Sequence, residues 1–357
     1  MTMGGVAARI IASSEVWDMT LPWLEVYWDI DVLARYKRAG YTYVSVTLQD
    51  WPPTMDGMRR CIKQFEQMAA PESTWLEFGS SIGDIERGRR DGKLIWGLNS
   101  QEACLIGEDI SRIAELYTLG VRHLLLAYNV RNLIADGCAE VADAGLSNFG
   151  RRVVVEMNRV GMIVDCAHTG RRSSLEAIEI SENPVIFSHS NAYAVCPHIR
   201  NLRDEQIVNC AASGGVIGVV GVGAFLGDPA AESGTVFRHI DYIAEMVGAE
   251  HVGLGTDYVK ILPVKDFLPE WQAAGSITSA RSWPDSTDAW TNPTGTQIPV
   301  EDCRCFSPEQ LTELVELLLG HGYSEQAIRG ILGENFKRVY RDAERKLRQR
   351  SSQEERP

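Results

Sequence analysis

Short runs of β-branched and other apolar residues alternate along the chain with longer segments in which apolar residues recur at helical spacing. Strands that are apolar throughout are typical of a parallel sheet that helices cover on both faces. The apolar runs lie at residues 8–17, 43–48, 94–98, 123–127, 162–166, 184–188, 215–220 and 251–256. Because eight parallel strands close a (β/α)8 barrel, the pattern predicts an α/β fold of this TIM-barrel type.

The remainder of the chain predicts how this barrel is completed. Residues 262–304 are rich in Trp, Pro, Ser and Thr and show little periodicity, so we expect an extended loop there. A helical hairpin is predicted within residues 307–342, with its apolar positions on one face. Residues 343–357 are highly charged, which predicts a disordered tail. One domain, residues 1–342, therefore includes the barrel, the loop and the C-terminal helices.

Composition limits the classes of partner. The 357 residues are 45% hydrophobic, which suffices for a large core, and their formal net charge of -13 repels nucleic acids and anionic membranes. We therefore expect a small-molecule substrate, and neither a nucleic-acid nor a membrane partner. The 8 cysteines are scattered without a CxxC pair and no signal-like segment opens the sequence, so we expect free thiols and a cytoplasmic protein.

Polar residues that follow the apolar runs are the candidates for chemistry, because the active site of such a barrel lies at the carboxyl ends of its strands. These residues are Asp18, Thr20, Asn99, Tyr128, His168, His189 and Asp257. His168 and His189 end adjacent strands, where two imidazoles can converge on one zinc ion, although each could instead hydrogen-bond to a loop. Asp257, in GLGTDY, places a carboxylate at the barrel mouth. Such a carboxylate requires a metal, a substrate amine or an arginine as its partner.

Two further positions suit substrate binding. Arg200 and Asn201, in HIRNL, lie in the loop after the sixth strand, where an arginine either binds a substrate carboxylate or is a solvated surface charge. The Tyr128 hydroxyl either donates to a developing oxyanion or packs in the barrel rim.

Several motifs, in order, resemble the renal or membrane dipeptidase family, the M19 metallopeptidases. They are YNVRNLIADG, MIVDCAHTG, PVIFSHSNAYAVCPHIRNL, HVGLGTDY and the closing SPEQLTELVELLLGHGYSEQAIRGILGENFKRV. The resemblance covers residues 15–342 and implies an amidohydrolase-like barrel of the metal-dependent hydrolase type with two zinc ions. It further implies that His168 and His189 bind one ion, that Asp257 holds the substrate amine and assists proton transfer, and that Arg200 grips the substrate carboxyl group.

The chain departs from this family pattern at the other ion. Where the family has DxHxDxP, this chain reads VWDMTLPW. Depending on the alignment, the family's His and second Asp fall on Thr20 and Pro22, or on Asp18 and Thr20. The bridging Glu falls on or beside Asn99, and another family His falls on Tyr128. Without these anionic ligands two dications would be uncompensated, so we expect one zinc ion, with substrate in contact with Asp18, Thr20, Asn99, Arg200 and Asn201.

Three interpretations follow. The first is a metal-dependent hydrolase that cleaves a small carboxylate-bearing amide or dipeptide-like substrate, with Asp257, Tyr128 and Arg200 as catalytic residues. The second is a barrel that catalyses a lyase, isomerase or decarboxylase step without a binuclear centre. The third is a small-molecule-binding protein without catalysis. A homodimer is also expected, because the Trp-containing segment 263–294 offers an apolar surface.

Overall fold

The computed structural model describes residues 2–23, 29–50, 53–259 and 304–354. Its strands are β1 Trp17–Pro22, β2 Tyr43–Thr47, β3 Leu76–Phe78, β4 Leu94–Ser100, β5 Val121–Leu125, β6 Ile163–Asp165, β7 Ile217–Val219 and β8 Val252–Leu254. Its α-helices are α1 Met3–Ser13, α2 Ile30–Ala39, α3 Met55–Ala69, α4 Ile82–Arg90, α5 Arg112–Leu119, α6 Asn148–Val160, α7 Arg171–Ile180, α8 Asp204–Ala212, α9 Gly223–Leu226, α10 Ser233–Val247, α11 Leu311–Gly320, α12 Glu325–Arg329 and α13 Asn335–Glu354. The predicted loop, up to residue 303, and the predicted dimer surface lie outside the described residues.

The strands form a parallel sheet that curls into a barrel. β1, β2, β4, β5 and β6 pair in this order, and β7 pairs with β8. Residues 186 and 187 connect the two groups through single bridges to Asp165 of β6 and Ile217 of β7. The ring closes where the Asp257 amide, just after β8, donates a 3.1 Å hydrogen bond to the Thr20 carbonyl of β1. This is the (β/α)8 arrangement that the sequence predicts.

The prediction of a first strand at residues 8–17 is wrong. Most of it belongs to helix α1, and β1 begins only at Trp17. The buried face of α1 consists of Ala7, Ile10 and Ile11. This spacing is that of one helix face, whereas a short apolar run by itself does not distinguish a helix from a strand. Asp18 and Thr20 are consequently inside β1 and not after it.

β3 and α4 form an additional unit that the apolar pattern does not reveal. β3 is only three residues long and pairs with the first half of β4, with Leu76 opposite Leu94. α4 begins with a capping box in which Ser81 and Asp84 bind each other's backbone amides. This unit covers the edge of β4 that β5 leaves unpaired.

The C-terminal helices occur where predicted, but they extend further than predicted. Ser307 and Gln310 form a capping box that starts the helical region. α13 continues to Glu354, so most of the predicted disordered tail is helical. Two ion pairs support this extension, one within the helix from Arg348 to Glu344 at 3.1 Å and one from Arg350 to Glu182 at 2.5 Å. In the part of the chain that the structure describes, no helix is long and apolar enough to cross a membrane.

Candidate active site

Two histidines meet at the carboxyl end of the barrel. His168 follows β6, and His189 follows the segment that bridges β6 and β7. Their Nε2 atoms lie 2.9 Å apart, within the approach of roughly 4 Å that a shared zinc ion requires. Both side chains are buried. The two residues that the sequence places on adjacent strands therefore face each other inside the protein.

The hydrogen bonds of the two Nδ1 atoms determine which of the Nε2 atoms can carry a proton. Asn129 Oδ1 accepts a 2.7 Å hydrogen bond from His168 Nδ1, which leaves a lone pair on the neutral His168 Nε2. His189 Nδ1 lies 2.8 Å from Ser188 Oγ and 3.1 Å from Thr20 Oγ1. Burial lowers the pKa of His189 to about 3 and that of His168 well below its usual value. Two neutral rings at this distance require a cation between them, or a proton on His189 Nε2.

Three residues of the site have a left-handed backbone conformation, with φ of 61° at Asn129, 61° at His168 and 53° at Asp257. This conformation is uncommon for residues other than glycine, although Asn, Asp and His adopt it more often than most. The surrounding loops fix it, since the His168 carbonyl accepts a 2.7 Å hydrogen bond from the Cys138 amide. Strain of this kind concentrates at functional sites.

Asp257 and Tyr128 have the protonation properties of an acid–base pair. Burial raises the pKa of Asp257 to about 7, although the positive charge of Arg200 opposes this shift. Burial and then the charge of Asp257 raise the pKa of Tyr128, so its phenol stays protonated. The Tyr128 ring stacks on His168, with ring centroids 4.1 Å apart and planes inclined by 22°. A carboxylate with a pKa near neutrality is suited to general base catalysis.

Arg200 lies in a cavity of about 720 Å³ that His168 also lines. Arg200 is 3% exposed, and its Nη2 donates a 3.2 Å hydrogen bond to the His189 carbonyl. Its buried Nε has no hydrogen-bond partner among the described residues. Asn201 lines the same cavity, and its amide nitrogen donates to the Cys196 and Phe225 carbonyls, each at 2.8 Å. A buried guanidinium in the wall of a cavity is suited to an anionic ligand.

The remaining predicted site residues have other partners. Asp18 accepts hydrogen bonds from the Thr20 and Thr256 amides and from the Thr256 and Tyr36 hydroxyls. The Thr20 hydroxyl contacts His189. Asn99 is fully buried in the barrel, where its side-chain amide donates to Ser45 Oγ and its carbonyl accepts from Thr47 Oγ1. Asp18 and Asn99 thus bind other parts of the barrel.

The candidate metal donors that converge at this site are the two imidazoles of His168 and His189. His168 and His189 present neutral imidazoles whose Nδ1 atoms are held by hydrogen bonds, the arrangement that orients metal-binding histidines. Among the described residues, no group of three or more His, Cys, Asp or Glu side chains has the geometry of a metal site. Four hydrogen-bond donors already occupy the Asp18 carboxylate.

A buried carboxylate that the sequence analysis missed lies beside this site. Glu102, two residues after the end of β4, accepts hydrogen bonds from the Tyr128 amide at 3.0 Å and from Asn132 Nδ2 at 2.6 Å. It is 6% exposed, and burial raises its pKa. Glu102 therefore fixes the loop that carries Tyr128 and Asn129. The signal available in the sequence is an acidic residue shortly after a buried strand, three positions beyond Asn99.

Comparison with known proteins identifies the family. The model of the membrane dipeptidase family, peptidase family M19, matches residues 30–268. The chain belongs to this family. The uncharacterized dipeptidase C965.12 of Schizosaccharomyces pombe is 31% identical over 233 residues, which represent 62% of this chain. The chain spans 55% of the length of that curated relative. The M19 assignment makes this protein a member of a family of metal-dependent hydrolases.

Solved structures share the fold of this chain. An amidohydrolase from Pseudomonas aeruginosa is 27% identical, with a TM-score of 0.79 over 94% of this chain and 98% of its own. The probable dipeptidase PvdM of the same organism is 19% identical and has a TM-score of 0.77 over 96% and 99%. A metallopeptidase from Rhodobacter sphaeroides, bound to a phosphinate mimic of the dipeptide L-Ala-D-Ala, is 20% identical and has a TM-score of 0.71 over 92% and 99%. These likenesses confirm the amidohydrolase-like barrel.

Proposed function

We propose that this M19 protein hydrolyses a small amide or dipeptide-like substrate that carries a carboxylate, and that it uses one zinc ion. The observation that carries the proposal is the convergence of His168 and His189 beside a buried arginine. Their Nε2 atoms lie 2.9 Å apart, and the Arg200 side chain donates to the His189 carbonyl. A site that only bound neutral molecules would have no need for this buried positive charge.

His168 and His189 would hold the ion through their Nε2 atoms. When it is bound there, a zinc ion supplies positive charge that polarises a substrate carbonyl. The side chains around it supply substrate orientation and proton transfer.

Arg200 orients the substrate. Its guanidinium, in the wall of the cavity, donates to the substrate carboxylate. This contact holds the neighbouring amide bond near Asp257 and Tyr128. Because Arg200 is buried and its Nη2 is already bound to the His189 carbonyl, the carboxylate meets a guanidinium of fixed orientation.

Asp257 and Tyr128 move the protons. The Asp257 carboxylate accepts a proton from water as the water oxygen bonds to the amide carbon. Tyr128, which stays protonated because burial raises its pKa, donates a hydrogen bond to the carbonyl oxygen as negative charge develops there. The C–N bond then breaks, and the leaving nitrogen takes the proton from Asp257. The products are an amine and a carboxylic acid.

The test uses purified protein, added Zn²⁺ and matched substrates. Each dipeptide is compared with its C-terminal amide, which has the same scissile bond but no carboxylate. We expect the dipeptide to be the better substrate of each pair, and we expect Asp257→Asn to remove that activity. Equal rates on both members of every pair would overturn the proposal. Because one ion stabilises an oxyanion less than two do, ordinary dipeptides should turn over more slowly than about 1 per second. Faster turnover would contradict the single-ion site.

A further inference from the structure

Asp165, the last residue of β6, binds both of the loops that carry the site histidines. Its side chain is fully buried. One carboxylate oxygen, Oδ1, accepts a 3.0 Å hydrogen bond from the Ala167 amide and another from the Ser188 amide, also at 3.0 Å. Ala167 immediately precedes His168, and Ser188 immediately precedes His189. A single oxygen atom therefore connects the backbones on which the two imidazoles are mounted.

The other carboxylate oxygen is bound by a histidine outside the site. Asp165 Oδ2 lies 2.8 Å from His123 Nδ1, and both side chains are fully buried. His123 Nε2 lies 2.9 Å from Ser45 Oγ, which in turn accepts a 2.9 Å hydrogen bond from Asn99 Nδ2. These contacts fit one direction of donation, from Asn99 to Ser45, from Ser45 to His123 and from His123 to Asp165. The chain of hydrogen bonds thus fixes the tautomer of His123 and ends on the carboxylate.

The electrostatics of Asp165 agree with this arrangement. Burial acts to raise the pKa of Asp165, but the hydrogen bond from His123 opposes burial, and the pKa lies below its usual value. The carboxylate is therefore anionic and accepts strong hydrogen bonds from the two amides. Ser45, His123 and Asp165 have the connectivity of a catalytic triad, but their full burial separates Ser45 from any substrate. Their role is consequently one of positioning.

We propose that Asp165 is the positioning residue that sets the separation of His168 and His189, and that His123 orients its carboxylate for this purpose. The inference rests on the proposed role of the two histidines as one site. A carboxylate that held only one loop would support that loop's stability alone. Because Oδ1 is shared between the Ala167 and Ser188 amides, its displacement changes the position of one imidazole relative to the other.

The chain offers variants that separate positioning from simple loss of a buried group. His123→Phe removes the donor to Asp165, whereas His123→Gln retains an N–H at a similar position. His239→Phe is the matched control, because His239 is also fully buried and bonds to the Ala192 amide and the Leu226 carbonyl, but not to Asp165. Urea unfolding of each variant measures how far its stability has changed.

The first readout is Zn²⁺ binding to the purified full chain by calorimetry. Groups that orient metal-binding histidines contribute about 10- to 100-fold to metal affinity. We expect His123→Phe and Asp165→Asn to weaken binding by that factor and His123→Gln to restore most of it. The control His239→Phe should leave the Kd within about threefold, even where it lowers stability. Wild-type affinity in both His123→Phe and Asp165→Asn would overturn the proposal.

The second readout does not depend on metal or activity. The chain has 7 histidines, so ring nitrogen resonances can be assigned by substitution in protein labelled with ¹⁵N-histidine. In chelator-treated protein, we expect His123→Phe to change the ring signals of both His168 and His189, and His239→Phe to change neither. Unchanged signals would refute the positioning role. If the wild type binds no Zn²⁺, the proposed function fails, whereas these spectra still decide the role of Asp165.

Discussion

Asp18 and Thr256 are joined by two hydrogen bonds, one from the Thr256 amide at 2.9 Å and one from its hydroxyl. These bonds connect β1 to the residues after β8, at the point where the barrel closes. Tyr36 adds a further hydrogen bond to the same carboxylate at 2.9 Å. An aspartate that occupies a sequence position suited to metal binding is therefore used to close the fold.

This use of Asp18 predicts the metal content of the protein. We expect elemental analysis of gently purified protein to find one zinc ion per chain, lost on dialysis against a chelator. Alanine at His189 should abolish binding, because only His168 would then remain as an imidazole ligand at the site. A content of two ions per chain would show that Asp18 leaves its hydrogen-bonded position, and so would contradict the single-ion site.

The pKa of Asp257 predicts how activity depends on pH. A general base must be ionised to accept a proton, and the pKa of Asp257 is raised to about 7. Hydrolysis should therefore increase as pH rises from about 6 to 8. Asp257→Asn should lower kcat/KM by at least about 100-fold. A rate that is constant across this range in the wild type would exclude Asp257 as the base.

The same pKa predicts an effect on stability. The folded-state pKa of Asp257, about 7, exceeds the value of about 3.9 expected in the unfolded chain. The folded protein therefore binds more protons between these values, and its stability decreases as pH rises through them. Asp257→Asn removes this ionisation, so in chelator-treated protein its free energy of unfolding should exceed that of the wild type at pH 8 and approach it near pH 4. Urea unfolding at both pH values measures this, and a variant less stable at pH 8 would contradict it.

Much of the fold is predictable from the sequence because most strands are buried on both faces. The runs at 43–48, 94–98 and 251–256 coincide with β2, β4 and β8. Continuous apolar, β-branched sequence is typical of strands that are buried on both faces of a parallel sheet. The strand predicted at 8–17 is wrong because a short segment rich in alanine and isoleucine is equally compatible with a helix. β3 is not predicted from the sequence because a strand of three residues is too short to show a periodic pattern.

The candidate site is predictable only as far as strand order determines proximity. His168 and His189 follow neighbouring positions in the barrel, so their approach can be inferred from the sequence. The bonds of Asp165 cannot, because which buried polar groups pair depends on side-chain geometry in the barrel interior. Asn99 illustrates the same limit, since its position at a strand end suggests substrate contact while its amide is bound to Ser45 and Thr47.

Gly218 of β7 lies against the backbone of the segment that carries His189. A Cβ atom at Gly218 would lie 2.0 Å from the carbonyl oxygen of Ser188, which is a backbone atom and cannot move alone. Gly218→Ala should therefore displace the segment that carries His189, with a cost of about 1 to 3 kcal/mol in stability and weaker Zn²⁺ binding. Gly234→Ala is the control, because Gly234 lies in α10 with open space around it and alanine favours a helix. Equal Zn²⁺ affinities for the two variants would contradict this explanation.

Lys337 stabilises the opposite end of the barrel. Its ammonium lies 2.7 Å from Glu15, and both side chains are almost fully buried. Glu15 also contacts Arg89 at 3.2 Å. Lys337→Met would leave the buried carboxylate with one cation, and breaking a buried pair costs about 3 to 5 kcal/mol. Because Arg89 remains, we expect the lower part of that range. Arg38→Met is the control, since the pair from Arg38 to Asp31 is exposed and should contribute less than about 1 kcal/mol.

The pH dependence of the Lys337→Met variant separates lost charge pairing from lost packing. Burial acts to raise the pKa of Glu15, but the hydrogen bond and charge of Lys337 lower it below its usual value. A carboxyl group with a lowered folded-state pKa contributes stability above its unfolded pKa of about 4.3, and this contribution is lost as pH falls through the folded value. The difference in unfolding free energy between wild type and variant should therefore be largest near pH 7 and should shrink below about pH 4. A difference of the same size at both pH values would mean that the lysine acts through its aliphatic stem and not through its charge.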